Sequence, residues 1–90
     1  MHGINKDKKQ IITRLRKIAG QVLGVEKMII TDKYCIDIIT QTSAIKSAIS
    51  SLEDVMLESH LSHCLHDDKN RGRLKEMQAE ILRVYKLKRK

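Results

Sequence analysis

The sequence contains no proline, tryptophan or phenylalanine, and Tyr34 and Tyr85 are its only aromatic residues. Without proline, the chain lacks the residue that interrupts helices most strongly. With so few aromatic residues and many Ile, Leu, Lys and Glu, it also lacks the composition typical of β-sheets. We therefore expect an all-α protein.

Long apolar runs are absent as well. No stretch approaches the roughly 20 residues that span a bilayer, and the first ten residues lack the apolar core of a signal peptide. Nucleophile–base pairs, glycine-rich phosphate loops and paired carboxylates are also missing, so we do not expect an enzyme. Ninety residues predict a single domain (1–90), cytoplasmic and without a membrane partner.

Positive charge is plentiful, since the formal net charge is +7. It concentrates at the start of the chain, where Asp7 is the only acidic residue among Lys6, Lys8, Lys9, Arg14, Arg16 and Lys17. Clustered basic residues on a helix are typical of nucleic-acid binding, although a solvated face is the alternative. We interpret the basic tail, 86–90, as solvated. The first helix lacks aromatic residues for stacking, which favours double-stranded DNA as its partner.

Apolar residues recur at alternating intervals of four and three along the first third of the chain. They are Ile11, Leu15, Ile18, Val22, Val25 and Ile29. This spacing predicts a helix over about 5–30 that packs along its length on another helix. We expect Thr31 and Asp32 to form a turn and cap a second helix over about 33–64.

A shorter third helix is marked by Leu74, Met77, Ile81 and Val84. The first two helices would be about 40 and 48 Å long, whereas a compact 90-residue domain is only about 25 Å across. If two chains pair as antiparallel hairpins, the regularly spaced apolar residues of each helix become buried. The helix lengths therefore predict a dimer built as an antiparallel four-helix bundle.

Cys35, His60 and Cys64 are the candidate metal ligands. His60 and Cys64 are four residues apart, so in a helix they share one face and can bind one ion. Cys35 would lie about 37 Å from His60 in the same helix and could complete the set only from an antiparallel partner. Two thiolates and an imidazole suit Cu(I) or, with a fourth ligand, Zn(II).

These residues stand within motifs that resemble the copper-sensing CsoR branch of the CsoR/RcnR family of transcriptional repressors. The matching segments are Arg-x-x-Lys-Ile-x-Gly-Gln at 14–21, Tyr34-Cys35, 41–47 and 58–64. The resemblance implies an all-α dimer that pairs into a flat homotetramer, binds operator DNA through basic helices and releases it on binding metal. It also implies that Cys35, His60 and Cys64 are the Cu(I) ligands.

The resemblance assigns further residues. Tyr34 and Glu80 match positions that support the ligand histidine, and Arg14 matches a basic DNA-binding position. A second basic DNA-binding position, on helix two, falls at Ser51, with Lys46 as the nearest substitute. The candidate DNA contacts are Lys9, Arg14, Arg16, Lys17 and Lys46.

Three alternatives stay open. Nickel and cobalt sensors of this family use an additional nitrogen ligand near the N-terminus, which His2 could supply here, so a Ni(II)- or Co(II)-responsive repressor is one. A thiol redox sensor that joins Cys35 to Cys64 across the dimer is another. The third is a metal-storage protein or copper chaperone, in which the basic first helix would be incidental.

Overall fold

The structure, a computed structural model, describes residues 7–66 and 74–89, and within them the side chains of 7–62 and 75–88. Three helices make up these segments, which contain no strand: α1 (Lys8–Ile30), α2 (Cys35–His66) and α3 (Leu74–Arg89). The all-α prediction is confirmed. The boundaries differ from the expected ones by two or three residues at three helix ends. None of the described helices is long and apolar enough to cross a membrane.

The core lies between α1 and α2. Ile11 and Ile18 of α1 pack with Ile45 and Leu52 of α2, and each of the four is at most 8% exposed. In both helices the buried residues are seven apart, so they lie on one stripe that faces the neighbouring helix. This contact sets α1 and α2 side by side as a helical hairpin.

The turn between α1 and α2 differs from the expected one. Asp32 has a left-handed backbone with φ 55°, and its N–H donates to the Ile29 carbonyl while that of Lys33 donates to Met28. This is the Schellman arrangement that ends a helix, and Asp is among the few side chains that tolerate it. The prediction that Thr31 and Asp32 cap α2 was therefore wrong, because both residues terminate α1. At the start of α2, the Tyr34 carbonyl accepts hydrogen bonds from the N–H groups of Asp37 and Ile38.

Half of the predicted α1 seam is not covered within one chain. Leu15, Val22 and Ile29 are 50–58% exposed, whereas the alternating residues Ile11 and Ile18 are buried. A single neighbouring helix covers only one side of a seam spaced four and three. The exposed residues form a second apolar stripe along α1, available to another helix.

The chain is elongated. Its radius of gyration is 17.1 Å and its extents are 55 × 28 × 13 Å, whereas a compact chain of this length would have a radius of about 12 Å. A two-helix layer 13 Å thick cannot enclose a core on both faces. This elongated shape is consistent with the prediction, made from the helix lengths, that two chains associate.

Candidate metal centre

His60 of α2 and Glu80 of α3 lie next to each other in the structure. The His60 Nε2 atom is 3.4 Å from the Glu80 Oε2 atom, and the two side chains are 32% and 45% exposed. A carboxylate oxygen at this position can accept a hydrogen bond from a proton on Nε2, which would leave Nδ1 free to bind a metal. The two residues are thus neighbours, and the role of Glu80 in supporting a ligand histidine stays a prediction.

A groove of about 360 Å³ between α2 and α3 contains this pair. Its walls come from Leu57, His60, Glu80, Ile81, Arg83, Val84 and Leu87. Four of these side chains are apolar, and the three polar ones are His60, Glu80 and Arg83.

Cys35 lies at the other end of the same helix. It is the first residue of α2, and its thiol is exposed and free of a disulfide. Twenty-five residues of continuous helix separate it from His60, a distance of about 37 Å. Among the side chains that the structure describes, no three from His, Cys, Asp or Glu are close enough to hold one metal ion.

The remaining candidate ligands are less fully described. Cys64 belongs to α2, one turn beyond His60, but its side chain lies outside the described residues, as does the whole of His2. Tyr34 immediately precedes Cys35 and is 70% exposed. It is therefore at the Cys35 end of α2, away from His60 of its own chain.

The basic residues of α1 form a distinct surface near the start of the helix. A shallow depression of about 550 Å³ is lined by Asp7, Lys9, Gln10, Thr13, Arg14 and Lys17. Arg16 and Lys46 are exposed but do not line it. Three of the five candidate DNA contacts thus share one patch.

Arg14 is tied to α2 at Ser51. Its guanidinium Nη2 donates a hydrogen bond of 3.0 Å to the Ser51 hydroxyl oxygen. Ser51 is the position at which the family resemblance implied a second basic residue. Here Arg14 and Ser51 are hydrogen-bonded to each other, and the Ser51 hydroxyl orients the arginine instead of adding a second positive charge.

Lys88 of α3 contacts α2, contrary to the expectation that the basic tail, 86–90, is solvated. Its Nζ atom lies 3.0 Å from the Ser50 carbonyl oxygen, 3.0 Å from the Ser50 hydroxyl and 3.0 Å from Asp54 Oδ1. Glu53 Oε1 is 3.7 Å away. The hydrogen bond to Asp54 is the main cause that raises the pKa of Lys88. A signal existed in the sequence, because residue 88 continues the 77, 81, 84 spacing of the third helix.

The chain is similar to known proteins over most of its length. The chain is 39% identical to the copper-sensing transcriptional repressor CsoR of Bacillus subtilis over 85 residues, which are 94% of this chain and 84% of that protein. It is 48% identical over 64 residues to the copper-sensing transcriptional repressor RicR of Mycobacterium tuberculosis, covering 71% of this chain and 67% of RicR.

A solved structure is similar over the full length. The crystal structure of the copper-sensing repressor CsoR with Cu(I) from Geobacillus thermodenitrificans matches with a TM-score of 0.84 and 35% identity, covering 100% of this chain and 99% of that one. The family model for metal-sensitive transcriptional repressors matches residues 7–86. This chain therefore belongs to the family of metal-sensitive transcriptional repressors.

Proposed function

We propose that this protein is a Cu(I)-responsive repressor that binds operator DNA without metal and releases it when Cu(I) binds between two subunits. One observation carries the intersubunit site: Cys35 and His60 stand at opposite ends of one unbroken helix. Copper as the metal is supported by the relatives, whose names describe them as copper-sensing.

The donor set fits Cu(I). Two thiolates, from Cys35 and Cys64, and one imidazole, from His60, fill a trigonal site with the soft ligands that Cu(I) prefers. Ni(II) and Co(II) would need further ligands. The Glu80 carboxylate on Nε2 supports binding through Nδ1 of His60. When bound, the metal ties the start of one subunit's α2 to the end of the other's.

An antiparallel dimer would also cover the exposed apolar surface. Leu15 and Val22 of α1 would meet a second hairpin, completing a four-helix bundle. Antiparallel α2 helices would bring Cys35 and Tyr34 of one chain to the groove that holds His60 of the other. A homotetramer made of two such dimers follows from the family resemblance.

The operator surface is the basic patch on α1. Lys9, Arg14 and Lys17 line it together, and lysine and arginine side chains bind the phosphates of duplex DNA. Arg16 and Lys46 are exposed basic residues that would extend the contact. A repressor that acts on chromosomal operators works in the cytoplasm, where the thiols stay reduced.

The decisive experiment follows operator binding while Cu(I), Ni(II), Co(II) or Zn(II) is titrated under reducing conditions. We expect Cu(I) to release the DNA at the lowest free metal concentration, and His2→Ala to leave the copper response unchanged. Loss of the response in His2→Ala would favour the nickel or cobalt alternative. Release by an oxidant, with no effect of metal, would favour the redox sensor.

The shared site has its own test. Cys35→Ala chains and His60→Ala/Cys64→Ala chains should each fail to bind Cu(I) at the site, while a mixture of the two should regain one intact site per heterodimer. Restoration is impossible if all three ligands come from a single chain. The mixed sample is compared with each variant alone at the same total protein concentration.

A further inference from the structure

Lys88 attaches the C-terminal half of α3 to the middle of α2. A lysine ammonium group has three N–H donors, and here three acceptor atoms lie at 3.0 Å: the carbonyl and hydroxyl oxygens of Ser50 and a carboxylate oxygen of Asp54. Lysine is a flexible side chain, and surface ion pairs are weak when only one contact holds it. With all three donors satisfied and Glu53 adding negative charge, Lys88 has a defined position.

Two separate contacts therefore join α3 to α2. One is the His60–Glu80 pair, and the other is Lys88 with Ser50 and Asp54. Eight residues separate the two contacts on α3, about 12 Å, and six to ten residues separate them on α2, about 9–15 Å. The spacings match for two antiparallel helices, so one rigid element spans both contacts.

The second contact lies beside the DNA-binding patch. Ser50 accepts from Lys88 of α3, and its neighbour Ser51 accepts from Arg14 of α1. Consecutive residues in a helix point about 100° apart, so the two serines face different helices from adjacent positions on α2. Two separate sets of hydrogen bonds, one from Lys88 to Ser50 and one from Arg14 to Ser51, are thus joined by the backbone between the two serines.

We infer that Lys88 is a positioning residue for metal-controlled DNA release, which couples the movement of α3 at the metal site to the orientation of Arg14 through Ser50 and Ser51. In this proposal, a metal held by His60 would shift Glu80 beside it, α3 would carry that shift as one helix, and Lys88 would transfer it to α2. The inference rests on the proposed function. It assigns no contact with copper or with DNA to Lys88.

The test compares Lys88→Met with Lys86→Met. Both variants lose one positive charge from α3, but Lys86 is exposed and lies about 200° around the helix from Lys88. Cu(I) affinity and the operator affinities of the apo and Cu(I)-loaded forms are measured for each. We expect unchanged Cu(I) affinity and a similar small loss of apo operator affinity in both.

The ratio of apo to copper-loaded operator affinity separates the two variants. It should fall at least about fivefold in Lys88→Met, which is the lower range of allosteric coupling, and stay at the parent value in Lys86→Met. Lys88→Arg, which retains the charge and the donors, should recover most of the ratio. Equal ratios in Lys88→Met and Lys86→Met would overturn the inference.

A measurement without DNA separates this inference from the proposed function. Amide hydrogen exchange of α2 around Ser50 and Ser51 is recorded with and without Cu(I). Copper should change exchange there in the parent and in Lys86→Met, but not in Lys88→Met. An equal change in all three, or none in the parent, would refute the role of Lys88. If copper fails to release the parent from DNA, the proposed function fails and the inference fails with it. If copper releases the parent but the exchange response is equal in all three proteins, the inference alone fails.

Discussion

Replacing Glu80 by glutamine should change the stability of the protein little but weaken its response to metal. The change keeps the size of the side chain and removes the charge that faces His60 at 3.4 Å. Because the two side chains are 32% and 45% exposed, water screens the pair and its contribution to the free energy of unfolding is at most about 1 kcal/mol. Apo Glu80→Gln should therefore fold normally.

The effect on coupling should be larger. In the proposed site the carboxylate would hold the imidazole ring of His60 while it binds metal, and without this contact α3 would not follow the metal-bound His60. Typical coupling free energies are about 1–3 kcal/mol, so the ratio of apo to copper-loaded operator affinity should drop by about 5- to 150-fold. Cu(I) affinity should change less than this ratio, since all three ligands remain.

The assay is fluorescence anisotropy of operator DNA, titrated with apo and Cu(I)-loaded protein. Glu26→Gln is the matched control, because it removes the same charge from an exposed position on α1. The reasoning is refuted if copper releases Glu80→Gln as fully as it releases the control. The signal would then pass through α2 alone, without α3.

Three further predictions concern DNA binding, the core and pH. Arg14→Ala should weaken operator binding about tenfold or more and lower its salt dependence by about one counterion, because Arg14 lies in the basic patch. Arg16→Ala should have a smaller effect, because Arg16 does not line that patch. An equal loss in both variants, measured by anisotropy across a salt series, would contradict this assignment. Leu52→Ala should lower the free energy of unfolding by about 2–5 kcal/mol in urea titrations, because Leu52 is 3% exposed in the α1–α2 core; a loss well below that range would place Leu52 outside the packed core. Lys88 has a pKa above its ordinary 10.5 in the folded protein, so its contribution to stability is fully present below pH 10.5 and is lost as pH rises through the folded pKa. The difference in stability between the parent and Lys88→Met should accordingly be constant from neutral pH to about pH 9 and shrink above 10.5; a difference that varies between pH 6 and 9 would point to another group.

The sequence by itself determined the class of the fold. Helix formation depends on local properties, namely the absence of proline and the apolar spacing of three and four. These properties predicted three helices. They also predicted that α2 is unbroken, which separates Cys35 from His60 whatever the surroundings. That separation made a site within one chain impossible and a shared site the natural hypothesis.

Tertiary structure decided which residues of each pattern meet. The sequence predicted that all the regularly spaced apolar residues of α1 pack on another helix. In the structure Ile11 is buried and Leu15 is exposed, because one chain supplies only one neighbouring helix. Asp32 looked like a cap for α2 and instead ends α1, since its backbone is left-handed and its N–H and that of Lys33 both donate to carbonyls of α1.

The contacts between helices could not be predicted from local pattern. Arg14 and Ser51 are 37 residues apart, and Lys88 and Ser50 are 38 apart. Each pairing depends on the crossing and register of two packed helices, which set distances to within an ångström, whereas periodicity only identifies a face. The sequence therefore determined the helices and the chemical types of the candidate ligands. The packing of the helices decided that Glu80 faces His60 and that Lys88 contacts Ser50, the neighbour of Ser51.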